Sequence, residues 1–415
     1  MEAAVRAGDL GPGDQLPSVR SLAAQLDVSP TTVAAAYGEL RRRGIVTGAG
    51  RAGTRIRPAP PVSTRGYLRA PEGTRDLITG GPDPDLLPPL PAWPASTARR
   101  VYPDAPVAPR LRRLAMEQLT AEGIDAANLA VTGGALDAIE RVLATWLTPG
   151  DRVIVEDPGH AVTYDLIAAM GFTAVPVPVD GFGIRPDGLA AALGRGAGAV
   201  IMTPRAQAAT GAAWDADRAA GLREALRSHP SAGVIEDDHA GPVAGVPGYT
   251  ATPGSPKWAV IRSVSKSLGP DLRLAVLAGD ETTISRVAGR QALGTGWVSY
   301  LLQETVAGLW SDRGTIERAA GIYASRREAL KSALAGHGIT ASGRSGFTCW
   351  VPVADEDRVA SVLASAGWAV APGRRFRIAA PPGVRICYAT LHEHEAAPFA
   401  AACARALRDR AGRLD

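Results

Sequence analysis

The chain contains no apolar run of 18 or more residues, the length a membrane-spanning helix requires, and no basic-then-apolar leader follows Met1. A soluble, unexported protein is therefore expected, with no membrane partner. Cysteine is scarce: Cys349, Cys387 and Cys403 are odd in number and show no C-x-x-C spacing, so neither a disulfide framework nor a zinc site is indicated, and no metal is expected. A reducing cytoplasm fits. Lysine is as scarce, present only as Lys257, Lys266 and Lys331, while arginine supplies nearly all the positive charge. Each lysine thereby stands out. What remains is a chain of 415 residues, 46% hydrophobic and 21% charged, enough for two or three domains.

The charge is unevenly spread. Residues 1–75 hold 11 Arg and 6 Asp or Glu, a net of +5, whereas the remainder holds 34 basic and 35 acidic residues, a net of −1. The excess lies where a polyanion would be met.

In Leu16-Pro-Ser-Val-Arg-Ser-Leu-Ala-Ala-Gln-Leu26, Ser18 is a natural N-cap, and Val19, Leu22, Ala23 and Leu26 fall on one helical face. Ser29-Pro30 then opens a second helix with Val33, Ala36, Tyr37 and Leu40 as its stripe, and Gly44 ends it. Two short helices joined by a tight turn make a helix-turn-helix, whose second helix presents its first turn, here Thr31 and Thr32, to the major groove. Ile45-Val-Thr47 and Thr54-Arg-Ile56 flank a glycine-rich hairpin with Arg51 at its tip, a wing. The run from Leu16 to Gly44 resembles the GntR-type winged helix. That resemblance implies that Ser18, Arg20, Thr31, Thr32 and the wing around Arg51 face double-stranded DNA. Pro30 departs from the basic residue often found there, and only about nine residues precede Gly11, a short allowance for the first helix of such a reader.

The expected division is a reader over 1–57, a linker over 58–75 and a large domain over 76–415, its main part about 100–310 and a smaller C-terminal part about 311–415. The linker is rich in proline and arginine and should be extended and mobile. Beyond it, short β-branched runs such as Arg152-Val-Ile-Val-Glu156 and Gly233-Val-Ile-Glu-Asp237 alternate with helical stretches, which predicts an α/β domain with buried parallel strands and functional residues at their carboxyl ends.

Pyridoxal 5'-phosphate asks a site for an imine-forming lysine, a carboxylate against the pyridine nitrogen, anion donors for the phosphate and a flat group on the ring. Lys266, one of three lysines, follows a strand in Ser263-Val-Ser-Lys266, with Ser263, Ser265 and Arg273 placed for the phosphate. Asp237 suits the pyridine nitrogen; Asp238 is its rival, and strand alternation allows only one of them to serve. Gly133-Gly134-Ala135 opens a helix whose free N–H groups suit a phosphate.

The ordered set resembles fold-type I aminotransferases, and with the reader it is similar to the MocR (GabR-like) subfamily of GntR regulators. The landmarks, in order, include Gly81-Pro-Asp-Pro, Tyr102-Pro-Asp, Val131-Thr-Gly-Gly-Ala135, Thr203-Pro-Arg-Ala-Gln207, Ile235-Glu-Asp-Asp-His239 and Gly383-Val-Arg385. The resemblance implies a fold-type I PLP-dependent transferase domain with a mainly parallel central sheet and a smaller C-terminal α+β subdomain. It also implies a head-to-tail homodimer in which Tyr102 reaches the partner's phosphate, with His160 stacked on the ring, His239 beside the cofactor and Arg385 on a substrate carboxylate. Departures cluster at the cofactor. Ala208 stands where the family has an asparagine on the ring oxygen, Leu136 replaces a glutamine of the phosphate loop, and His160 and His239 replace tyrosines, introducing groups that titrate near neutral pH.

The leading expectation is a transcription regulator that senses pyridoxal phosphate or its adduct with an amino compound. The alternatives are a working aminotransferase carrying a relic reader and a cofactor-free DNA-binding scaffold. His392-Glu-His394 reads as an exposed helix start rather than a metal pair. Arg374-Arg-Phe-Arg377 reads as surface before it reads as a site for an acidic ligand.

Overall fold

The computed structural model describes residues 13–42, 44–48, 53–57, 68–90 and 105–408. Among the described residues of the reader are two helices, Val19–Leu26 and Pro30–Arg42. Ser18 caps the first by accepting from the Ser21 N–H at 3.1 Å, and Ser29 caps the second by accepting from the Thr32 N–H at 3.1 Å. Two strands, β1 (Val46–Thr47) and β2 (Arg55–Ile56), pair antiparallel with Val46 opposite Ile56 and form the base of the wing. Leu16, Ala23, Val33, Tyr37, Val46 and Ile56 make one small core, and the Tyr37 hydroxyl donates to the Pro17 carbonyl at 2.8 Å, tying the second helix to the lead-in of the first. Leu26 departs from its expected place in that stripe: it is 60% exposed, because the apolar cover of the described residues stops a turn earlier, at Leu22 and Ala23.

The linker expected over 58–75 yields structure at its far end. Arg75 starts a strand, β3 (Arg75–Leu77), while Leu68 and Ala70 pack against buried apolar side chains of the large domain.

Eight strands make the central sheet: β4 (Leu129–Thr132), β5 (Arg152–Asp157), β6 (Thr173–Asp180), β7 (Gly183–Ile184), β8 (Ala199–Met202), β9 (Gly233–Asp238), β10 (Trp258–Ser263) and β11 (Ala275–Gly279). Their spatial order is β4-β11-β10-β9-β8-β5-β6-β7. The central run from β10 through β6 is parallel, and β11 runs against both of its neighbours. The expectation of a mainly parallel sheet is met. Its strands are apolar on both faces, as a doubly covered sheet requires. Ile154, Val200, Val234, Val260 and Val276 enter one core, while Val153, Val155, Ala199, Ile235, Ile261 and Leu277 enter the other. The helices Pro109–Ala121 and Ala216–Arg227 bury Leu111, Leu119, Leu222 and Leu226 on the first face; Ala135–Trp146 and Glu281–Ala292 bury Ile139, Leu143 and Val287 on the second.

The second sheet contains β12 (Thr348–Pro352), β13 (Trp368–Pro372) and β14 (Gly383–Cys387) in the order β12-β14-β13-β3. The strand leaving the linker is thus its edge, parallel to β13 with Leu77 opposite Val370. Arg75 secures it by an ion pair to Glu395 at 2.8 Å. No described helix is long and apolar enough to cross a membrane.

Candidate functional site

The carboxyl ends of β4, β9 and β10 converge, as crossover topology dictates, on a cavity of ≈ 380 Å³ between the two sheets. After β4 the chain turns through Gly133-Gly134 into the helix that starts at Ala135, and the Asp137 carboxylate accepts from the Gly133 N–H at 2.8 Å, fixing the turn. After β10, the Ser265 N–H donates to the Ser263 hydroxyl at 3.2 Å, a tight turn that presents Lys266 to the cavity.

Of the residues expected at a cofactor, Lys266, Asp237, His239, His160, Ala135, Ser263, Ser265, Arg273 and Arg385 all line this one cavity. Gly134 does not line it and instead lies against the Arg273 guanidinium, which donates to the Gly133 carbonyl at 3.2 Å. Tyr102 and Arg51 lie outside the described residues. In the reader, Ser18, Arg20, Thr31 and Thr32 are exposed.

The two aspartates part as strand alternation requires. Asp238 turns into a buried ion cluster, bound by the Arg205 Nε at 3.0 Å and Nη2 at 2.9 Å and lying within 2.6 Å of the Arg262 Nε, with Glu122 bridging both guanidiniums. These cations hold its carboxyl well below the usual range despite its burial. Asp237 faces the cavity, and its buried Oδ1 has no protein partner. Its Oδ2 lies 3.7 Å from the His239 Nδ1. A buried acceptor without a donor is costly unless something else supplies one.

Burial lowers the pKa of Lys266 and so favours the neutral, nucleophilic amine. Its Nζ donates to the Gly80 carbonyl. Burial also pushes His160 down to about 4, correcting the expectation that this imidazole titrates near neutral pH: it is a neutral, flat group whose Nδ1 lies 2.9 Å from the Thr163 hydroxyl. Arg385 stacks on Phe376 at 4.2 Å and donates to the Ile78 carbonyl, leaving its buried Nε without a partner.

The arginine run divides. Arg374 pairs with Asp357 on the surface and Arg377 with Glu356, but Arg375 lines the cavity, contrary to a wholly surface reading. His392 and His394 stack at 5.6 Å around a short 3-10 turn, and no cluster of metal ligands occurs among the described residues. Sequence reasoning missed Leu68, Thr79, Gly80 and Phe347, which also line the cavity. Only Gly81-Pro-Asp-Pro, noted as a landmark, pointed to that neighbourhood.

These residues fit pyridoxal phosphate: an unpartnered buried carboxylate, a desolvated lysine, a flat imidazole, and hydroxyl and guanidinium donors at one end. The site and fold define a regulator built from a DNA reader and an aminotransferase-type domain. The model of bacterial regulatory proteins of the gntR family matches residues 1–56, and that of aminotransferase class I and II matches residues 91–402. The vitamin B6 salvage pathway transcriptional repressor PtsJ of Salmonella typhimurium is 40% identical over 97% of this chain and 95% of its own. The HTH-type transcriptional regulator TauR of Rhodobacter capsulatus is 26% identical over 90% and 87%. Among solved structures, kynurenine aminotransferase of Pyrococcus horikoshii, in complex with PMP, superposes with a TM-score of 0.71 at 20% identity, covering 81% of this chain and 91% of that one. The chain belongs to the MocR-like family of GntR-type transcription regulators, in which the reader is fused to an aminotransferase-like domain.

Proposed function

We propose that the large domain holds pyridoxal 5'-phosphate through Lys266 and senses the cofactor, or its adduct with an amino compound, so as to alter operator binding by a head-to-tail homodimer in the cytoplasm. The observation that carries this is the buried Asp237 Oδ1, which has no protein partner, on a carboxylate that opens onto the cavity that also holds Lys266. When bound, the cofactor supplies an electrophilic aldehyde and a pyridine ring that withdraws electrons from attached groups. Asp237 keeps the ring nitrogen protonated, by about one to three pH units of stabilisation at close range. His160 would offer its imidazole face to the ring, and His239 would line the same side of the site. Ser263, Ser265, Arg273 and the N–H group of Ala135 would hold the phosphate, and the resemblance adds Tyr102 from the partner subunit. Arg385 holds the carboxylate of an amino compound. In the reader, Ser18, Arg20, Thr31, Thr32 and Arg51 meet DNA. The description of the 40%-identical relative as a repressor of vitamin B6 salvage supports the cofactor itself as an effector.

The test is a visible absorbance spectrum with pyridoxal phosphate, followed by borohydride reduction and peptide mapping. A shifted band and a modification at Lys266, both lost in Lys266→Ala, are expected. Retention of DNA from the chain's own upstream region, falling steeply with salt, is the companion result. No band and no selective retention would overturn the proposal.

A second reading, turnover as an aminotransferase, is favoured by Arg385 at the cavity wall and opposed by Ala208, which lines the cavity without a side-chain hydrogen-bonding group. Multiple-turnover amino transfer to a 2-oxo acid, abolished in Lys266→Ala, would establish it.

A further inference from the structure

Lys266 and Arg385 both donate to main-chain carbonyls of one short segment, residues 78–82: Lys266 to Gly80 and Arg385 to Ile78. The segment is a strap with fixed ends. At one end it continues from β3, where Asp76 accepts from the Ile78 N–H at 2.7 Å, the Thr79 N–H at 3.0 Å and the Thr79 hydroxyl at 2.7 Å. At the other, the Asp83 N–H donates to the Tyr323 hydroxyl at 2.9 Å and the Asp83 carboxylate pairs with Arg326 at 2.7 Å. Between these anchors, the polar contacts that hold the strap's carbonyls come from the two cations that the proposed ligand would claim.

The Ile78 side chain belongs to a buried cluster with Phe376, and Leu68, the first described linker residue, packs on that cluster and lines the same cavity. Arg385, Phe376, Ile78 and Leu68 therefore form one contiguous pile from the ligand site to the linker. We infer that the strap 78–82 is a ligand gauge. Cofactor at Lys266 and a carboxylate at Arg385 compete with the Gly80 and Ile78 carbonyls, and displacement of the strap moves Ile78 within the cluster on which Leu68 packs, so ligand occupancy is read in the linker that carries the DNA reader. The inference rests on the cofactor reading given above. Capture at Lys266 would join its amine to the cofactor aldehyde with loss of one water and so take the N–H donors away from Gly80. A ligand shifts such an equilibrium only through differential affinity for its two states, and here the difference is built in, since strap and ligand use the same donors.

The inference is tested in the full-length protein carrying Leu68→Cys, since the three native cysteines are buried. The rate of modification by a water-soluble maleimide is measured alone, with pyridoxal phosphate, and with reduced phosphopyridoxyl-L-alanine. Both ligands should raise the rate at least fivefold. Adding Gly80→Ala should raise it without ligand, because the new Cβ would lie 3.1 Å from the Arg385 Nη1, so the guanidinium must shift or the strap move, and either loosens the contact between them. A rate that neither ligand raises, whether unchanged or lowered by direct cover of the introduced thiol, while the absorbance band and borohydride capture at Lys266 are complete, overturns the gauge and leaves the cofactor reading standing. Absence of the band and of capture overturns both.

Discussion

Asp237 and Asp238 are adjacent on β9, both buried, and opposite in what they do. Asp238 is the shared anion of two guanidiniums, Arg205 and Arg262, that are themselves 2% and 1% exposed. Removing one member of such a cluster leaves charge buried without a partner, at a cost of about 3–5 kcal/mol. Asp237 has an acceptor oxygen with no donor, so its removal relieves a deficit rather than creating one. Urea unfolding of the cofactor-free protein should therefore show Asp238→Ala severely destabilised and Asp237→Ala within about 1 kcal/mol of the parent. Only the second variant should remain folded enough to show loss of the cofactor band. Equal losses of stability would refute the division of roles. His160 adds a pH signature. Its folded-state pKa, about 4, lies below the ordinary histidine value of 6.5, so the unfolded chain takes up this proton first as pH falls. The stability that the neutral imidazole contributes is present above pH 6.5 and drains away toward pH 4, by about 3 kcal/mol at about 1.4 kcal/mol per unit. Glu156 opposes this trend, since burial lifts its carboxyl to about 7 and favours the fold as pH falls to its ordinary value. The comparison is therefore made between the parent and His160→Phe, in which Glu156 is common. Unfolding free energies at pH 6.5 and pH 4.5 should fall more in the parent, and parallel pH profiles would contradict the assignment.

At the scale of elements, what was legible followed from local pattern. The reader helices showed through N-caps at Ser18 and Ser29 and through a stripe from which Val33, Tyr37 and Leu40 do turn inward while Ala36 is exposed, and β5, β8, β9 and β10 showed through β-branched runs. The lysine, aspartate and serine positions followed because strand ends carry function in this topology. What was not legible depends on distant partners. β3 is three residues, Arg-Asp-Leu, inside a proline- and arginine-rich stretch, and it exists because Trp368, Ala369 and Val370 offer an open edge nearly three hundred residues later. The strap has no pattern at all, since its carbonyls owe their partners to Lys266 and Arg385. The phosphate end shows the same dependence. Gly134 sits at φ +110°, and a Cβ there would meet the Arg273 Nη2 at 2.8 Å, while Arg273 itself is left-handed at φ +42°. Two loops interlock through that contact. Gly134→Ala should cost about 1–3 kcal/mol through backbone strain. It should also weaken pyridoxal phosphate retention by moving the guanidinium, read by dialysis against inorganic phosphate. Full stability together with unchanged retention would show that the interlock is incidental.

For the whole molecule, charge is segregated as well as structure. The first 75 residues carry a net of +5 and the rest a net of −1, so a measurement sensitive only to total charge and one sensitive to local charge give different answers. DNA binding by counterion release is local: each phosphate neutralised contributes about −0.9 to the slope of log affinity against log salt. Arg20 is exposed in the first turn of the helix Val19–Leu26, and its replacement by alanine should weaken retention of all sequences alike and make the slope shallower by about one per reader. Arg185, exposed on the large domain and paired with Asp187, supplies the control. Arg185→Ala removes the same single charge from a chain whose total is +4, and leaves the reader untouched. If the reader is the contact surface, only Arg20→Ala changes the slope. If the chain is drawn to DNA by its total charge, the two variants shift it equally, and the separation between a basic reader and a near-neutral sensing domain loses its functional meaning.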